Sequence, residues 1–180
     1  YKNGKEDFYA VVTNMTTGKA EYIKIDDLKK EDQMEYLRAS GSMPFLSNPV
    51  TVHGKSYLDG GISDSIPIEK LMDMGCDIVV LTRPEDYRKK KSNTLLPKIY
   101  YRKYPYLTEA INNRYRIYNQ QLDMVKDLEA AGKIFVLRPS RFVDIKRIER
   151  DLEKIQEMYD LGQEDALKKM DALDVYLSNR

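Results

Sequence analysis

Cysteine, histidine and tryptophan are scarce in this chain of 180 residues, which contains Cys76, His53 and no tryptophan. One cysteine cannot close an internal disulfide, and one cysteine with one histidine cannot supply a usual zinc ligand set. The acidic residues are scattered along helical patterns, so we expect neither a metal site nor another cofactor. Cys76 stands between a predicted helix and a predicted strand, where a small buried residue is expected, and a free thiol fits a reducing compartment.

The chain also lacks an excess of charge of one sign and lacks long apolar runs. The chain has 30 Lys and Arg residues against 29 Asp and Glu, a formal net charge of +1, so nucleic acid is not an expected partner. Its apolar runs are far shorter than the roughly 18 residues of a membrane span, and its glycines form no P-loop or dinucleotide fingerprint. We therefore expect a cytoplasmic protein, with one domain over residues 1–180 and no internal boundary.

A predicted β-hairpin at residues 49–59 is the most informative stretch. Alternating apolar residues lead into His53 and Gly54, a turn pair, and a second apolar run ends at Asp59. Gly60 and Gly61 follow, and without a Cβ they can take positive φ and let another chain or a substrate approach the carboxylate. Asp-Gly is also an ordinary turn dipeptide, so these residues alone leave a catalytic acid and a plain turn both open.

The rest of the chain alternates strands and helices, which predicts the α/β class. Met34 and Leu37 are expected to face the core from the first helix. The strand at 77–82 is typical of a central parallel strand, and the hairpin formed by the first two strands is expected to extend an existing sheet. The predicted strands are 8–13, 20–25, 77–82 and 133–137; the predicted helices are 29–39, 68–74, 107–131 and 144–177, the last broken at Gly162.

Several ordered pieces of the sequence resemble the patatin-like phospholipase family, most closely its bacterial members. A helix ending in Ala-Ser is followed by a Pro-Phe loop, a hairpin and Asp-Gly-Gly. The matching pieces are residues 38–45, the hairpin, residues 59–68, the helix and strand ending at 78–81, and residues 159–167. The resemblance implies a modified α/β-hydrolase sheet with helices packed on it, plus a C-terminal helical segment.

The same resemblance implies a Ser-Asp dyad that cleaves acyl esters of lipids, such as phospholipids. Asp59 takes the role of the base, with Gly60 and Gly61 beside it, and the loop containing Pro44 and Phe45 lies beside the acyl site. The family's Gly-x-Ser-x-Gly nucleophile motif and Gly-rich oxyanion loop do not occur in the 180 residues. The chain is therefore interpreted as the C-terminal portion of one patatin-like domain, inactive when isolated. Ser65 stands where many members have Asn.

Two basic segments leave an alternative open. Residues 83–91 are strongly basic, and residues 100–106 mix tyrosine with Lys and Arg. We favour a solvated loop for the first segment over a contact with anionic lipid. The tyrosine segment suits either a membrane interface or the rim of a core. Peripheral membrane contact is thus one prediction, and a non-catalytic lipid-surface or protein-interaction domain is the alternative function.

Overall fold

The computed structural model describes residues 7–92, 94–146 and 148–179. Residues 1–6, 93, 147 and 180 of the predicted domain lie outside the described part. The chain forms two compact units, residues 1–67 with 89–120 and residues 68–88 with 121–180. Its strands are β1 (Tyr9–Asn14), β2 (Ala20–Lys24), β3 (Val50–Val52), β4 (Lys55–Asp59), β5 (Ile78–Val80) and β6 (Phe135–Leu137). Its helices are α1 (Glu31–Ser40), α2 (Ile68–Asp73), α3 (Leu95–Tyr100), α4 (Pro105–Ala130) and α5 (Leu152–Ser178). The predicted α/β class is confirmed.

The first unit is built on an antiparallel sheet in the order β2-β1-β4-β3. Both predicted hairpins are confirmed, and the first extends the sheet as expected because β1 also pairs with β4. His53 and Gly54 have φ values of 47° and 76°, the left-handed pair that a tight two-residue hairpin turn requires. The register sets Val12 of β1 opposite Asp59 of β4.

Two hydrophobic clusters form the core of the first unit. Tyr57 of β4 packs with β1, β3 and α1 in one cluster. Leu58, the next residue, packs with Leu107 and Ile111 of α4 in the other. Because successive strand residues point to opposite faces, the sheet is covered on both sides. The apolar stripe predicted for α4 is confirmed.

Helix α1 turns a different face inward from the one predicted. Met34 is exposed and Leu37 only half-buried, so the prediction for Met34 is wrong. Gln33 is buried instead, and its Oε1 accepts hydrogen bonds of 2.7 and 2.8 Å from the backbone N–H groups of Asp26 and Asp27. These two bonds pair the backbone donors of the segment that enters the helix and hold the Gln33 side chain in place.

In the second unit, β5 pairs in parallel with β6. The predicted parallel pairing is confirmed. The prediction that β5 is a central strand is wrong, because in the described part of the chain β5 pairs with β6 alone. Val79 is buried while Val80 is 71% exposed. Cys76 is also exposed, contrary to the expected buried thiol. It follows Gly75, whose φ of 76° ends the α2 segment in an open turn.

The C-terminal helix α5 is continuous from Leu152 to Ser178, so the predicted break at Gly162 is wrong. A glycine inside a helix costs only about 1 kcal/mol relative to alanine. The helix also begins later than predicted, because the Asp151 carboxylate accepts hydrogen bonds from the N–H groups of Glu153 and Lys154 as an N-cap. Among the described residues, no helix is long and apolar enough to cross a bilayer.

Candidate active site

Asp59 lies at the end of β4, and its backbone is held on two sides. Its N–H donates to the carbonyl oxygen of Ser42 at 2.9 Å, and its carbonyl accepts a 2.8 Å hydrogen bond from the Thr13 hydroxyl. Asp59 itself is half-buried. The loop after α1 and strand β1 therefore fix the point from which the carboxylate projects.

The carboxylate is oriented by the turn that follows it. Residues Gly60–Ile62 form a single 3₁₀ turn, and the N–H of Gly61 donates to Asp59 Oδ1 at 2.7 Å. No hydrogen bond joins Oδ2 to any side chain or amide in the described ranges. One carboxylate oxygen is thus fixed by the backbone, and the other is not held by this turn.

The two glycines serve different purposes. A Cβ on Gly60 would lie 2.3 Å from the carbonyl oxygen of Val11, so β1 can approach only because Gly60 has no side chain. A Cβ on Gly61 would lie 3.1 Å from Asp59 Oδ1. The close approach at Gly60 is made by β1, while an approach of substrate to the carboxylate stays a prediction. Neither glycine has a positive φ, so that expectation is wrong.

Arg114 of α4 also reaches this turn, and it is not among the predicted site residues. Its Nε donates to the carbonyl of Gly61 at 2.5 Å, and the Ser65 hydroxyl donates to that carbonyl at 2.6 Å. Arg114 is half-buried and lies three residues after Ile111 and four before Tyr118, which are both buried. This spacing on the apolar face of α4 is the signal that could have identified it.

Lys89, from the basic run at 83–91, also joins this cluster. Its Nζ lies 3.5 Å from the Ser65 hydroxyl and 3.6 Å from the centre of the Tyr118 ring. Cation–π geometry of this kind favours a fixed ammonium group. The run is a loop, as favoured, with Lys90 and Lys91 exposed, but Lys89 is not simply solvated.

The loop that contains Pro44 and Phe45 begins at Ser42, beside the Asp59 backbone. Pro44 is half-buried, and Phe45 is exposed with φ 68°, an uncommon value for an aromatic residue. The N–H of Phe45 donates to the Tyr101 hydroxyl at 3.2 Å, and the two rings lie 5.4 Å apart. Burial raises the pKa of Tyr101, whose neutral hydroxyl thus remains in place to anchor the loop.

Two parts of the chain match known families. Residues 3–72 match the family Patatin-like phospholipase, and residues 104–178 match a family described as Domain of unknown function (DUF6363). Over 55 residues the chain is 38% identical to the Uncharacterized protein YjjU of Escherichia coli (strain K12). The alignment covers 30% of this chain and 15% of YjjU, so the chain matches a small part of that relative's length.

The resemblance to patatin-like phospholipases is confirmed for residues 3–72, which contain Asp59, Gly60, Gly61 and the Pro44–Phe45 loop. This part of the chain is therefore similar in sequence to patatin-like phospholipases. Its extension to residues 78–81 and 159–167 stays a prediction, since both segments lie outside that match. Residues 159–167 fall inside the second match instead.

Proposed function

We propose that this chain supplies the general base of a serine acyl-ester hydrolase acting on phospholipids or related lipids. A serine from a protein segment outside these 180 residues attacks the ester carbonyl while Asp59 accepts the hydroxyl proton. Asp59 then returns that proton to the departing alcohol, leaving an acyl-serine. In the second half, Asp59 takes a proton from water, the resulting hydroxide attacks the acyl carbon, and the serine recovers a proton. Backbone amides of a Gly-rich loop, also outside these residues, stabilise the oxyanion.

The observation that carries this proposal is the geometry of the Asp59 carboxylate. One oxygen is oriented by the Gly61 N–H at 2.7 Å, and the side chain is only half-buried at a strand end. A base that is fixed but accessible is what proton transfer requires. The match of this segment to the patatin-like family supports the assignment.

A dyad needs no histidine, and His53 is poorly placed to complete a triad. It lies in the turn at the start of β4, so about four strand residues, roughly 13 Å, separate it from Asp59. Its Nε2 lies 3.3 Å from Oδ2 of Asp32 on α1, and its side chain is exposed. We therefore assign His53 to the turn, and assign Pro44, Phe45, Gly60 and Gly61 to the walls of the acyl site.

We further place residues 1–180 in one patatin-like domain as its C-terminal portion, in a cytoplasmic protein that contacts membranes peripherally. The chain alone then has no nucleophile for Asp59 to activate. The purified chain should hydrolyse a short-chain nitrophenyl ester no faster than buffer. The natural protein that carries it, with a Gly-x-Ser-x-Gly motif, should show turnover in the same assay. Turnover by the chain that disappears in its Asp59→Ala variant would show that these residues contain a nucleophile.

A non-catalytic lipid-surface or protein-interaction domain is the second candidate, because α3 and the Phe45 loop expose several large apolar side chains. The two functions differ in what the natural protein must contain. Without a Gly-x-Ser-x-Gly serine anywhere in the natural protein, Asp59 would have no nucleophile to serve. That sequence observation would select the binding function.

A further inference from the structure

The six-residue helix α3 exposes apolar side chains on two adjacent rows. Leu95 and Ile99 are four residues apart, as are Leu96 and Tyr100, so each pair forms one row on the helix surface. All four are exposed, and Ile99 is 72% exposed. Pro97, which faces the other way, is fully buried. The helix is therefore anchored through one face while its apolar rows point to solvent.

The Phe45 loop continues this surface. The Phe45 ring lies 5.5 Å from the Tyr100 ring, centre to centre, and Leu46 beside it is exposed. Phe45 holds its positive φ through the hydrogen bond to Tyr101, and strained non-glycine residues of this kind cluster at functional surfaces. We define the α3 patch as Phe45, Leu46, Leu95, Leu96, Ile99 and Tyr100.

The segment of sequence that contains α3 carries charge of one sign. Residues 89–108 contain six Lys and Arg residues and no Asp or Glu. Lys98 lies on α3 itself, and Arg102 and Lys103 follow it directly; all three are exposed. The whole chain has a net charge of only +1, so the positive charge is concentrated in this segment. Apolar tips bordered by cations are complementary to an anionic bilayer surface.

We propose that the α3 patch is the surface by which this protein docks on anionic lipid bilayers. Leu95, Leu96 and Ile99 enter the boundary between headgroups and acyl chains. The Tyr100 ring lies at headgroup level, and the neighbouring cations contact lipid phosphates. The purpose of docking rests on the proposed function, since it would deliver an acyl-ester lipid to the enzyme, but the binding itself requires no catalysis.

Within residues 100–106, the structure presents only part of the tyrosine segment for this contact, since Tyr100 and Tyr106 are exposed. Tyr101 is buried and Tyr104 is half-buried, so neither ring is presented to a membrane. Arg88 of the basic run forms an ion pair with Asp123 at 2.8 Å. Helix α3 and the Phe45 loop supply the apolar contact instead. Ser42 accepts a hydrogen bond from the Asp59 N–H. Phe45 is three residues further along the chain, at most about 10 Å from Ser42, so the α3 patch begins close to the candidate base.

The test is cosedimentation of the natural protein that carries this chain with vesicles of phosphatidylcholine alone or containing phosphatidylserine, at low and moderate salt. We expect the wild type to bind the anionic vesicles and to bind less as salt rises. The variant Leu96→Ser/Ile99→Ser should weaken binding by at least about tenfold, because two exposed apolar side chains are lost. The variant Lys98→Ser/Arg102→Ser/Lys103→Ser should flatten the salt dependence.

The matched control is Leu152→Ser/Leu167→Ser on α5, which removes two leucines that are 79% and 74% exposed. It should bind as the wild type does, and circular dichroism should show that every variant is folded. Tyr100→Ser is a second, milder variant with the same expected direction. Three results would overturn the proposal: no wild-type binding, equal loss in the α5 control, or self-association through the patch in place of vesicle binding. None of these measurements uses ester hydrolysis, so they leave the role of Asp59 untouched.

Discussion

The backbone N–H of Gly61 donates a 2.7 Å hydrogen bond to Oδ1 of Asp59, two residues earlier in the chain. The carboxylate is therefore oriented by the turn that it begins, and the carbonyl of the same Gly61 is held by Arg114 and Ser65. Gly61 is thus bonded at both its N–H and its carbonyl. A preorganised group of this kind reacts without first having to be ordered.

The two glycines should respond differently to alanine. In Gly60→Ala the new Cβ would lie 2.3 Å from the Val11 carbonyl oxygen, so β1 and β4 must separate. We expect the free energy of unfolding to fall by about 1–3 kcal/mol. In Gly61→Ala the nearest atom, at 3.1 Å, is Asp59 Oδ1, which belongs to a side chain and can rotate. We expect a smaller loss of stability there. Urea denaturation of this chain measures both, and an equal loss in the two variants would contradict this division of roles.

Arg114→Met should loosen the turn that orients Asp59. Removing the guanidinium takes a charged donor from the half-buried Gly61 carbonyl, and we expect a loss of about 1–3 kcal/mol in the free energy of unfolding. Arg116→Met is the matched control, because Arg116 lies on the same helix and is exposed. Hydrogen exchange of the Gly61 amide should accelerate in the first variant and stay unchanged in the second. Unchanged exchange in both would remove Arg114 from the positioning of Asp59.

Tyr101 should make stability fall at alkaline pH. Burial raises the pKa of Tyr101 above its usual value near 10, so the neutral form is favoured in the folded state. Its contribution to stability is complete below about pH 10, and it is lost as the pH rises through the raised pKa. Tyr101→Phe cannot ionise, so its stability deficit relative to the wild type should shrink between about pH 9 and pH 11. Urea denaturation at both pH values checks this, and a constant or growing deficit would contradict it.

The patterns that the sequence revealed correctly were local or strongly periodic. The left-handed pair His53 and Gly54 fixes a hairpin turn by backbone geometry alone, and that turn in turn brings Asp59 to the end of β4. The stripe on α4 repeats over seven turns, so its buried face could be predicted. Both patterns can be recognised from the local sequence, without knowledge of distant contacts.

The features that sequence reasoning missed depend on distant partners. Gln33 replaces Met34 on the inner face of α1 because two backbone donors need an acceptor there. Gly60 is required because Val11, 49 positions earlier, approaches it closely; its φ alone would allow other residues. Arg114 reaches Gly61 across 53 positions of the chain. Such contacts have no local pattern, and α3 was too short for its periodicity to be recognised.

The central claim is that Asp59 is the base of an acyl hydrolase, and Asp59→Asn in the natural protein that carries this chain tests it most directly. The amide oxygen can still accept the Gly61 N–H, so the fold should be retained, but the amide cannot accept the serine proton. We predict that hydrolysis of a short-chain nitrophenyl ester falls by at least about a hundredfold. Asp32→Asn, the same change at a half-buried residue of α1, should keep wild-type activity. Wild-type turnover by a folded Asp59→Asn protein would contradict the claim.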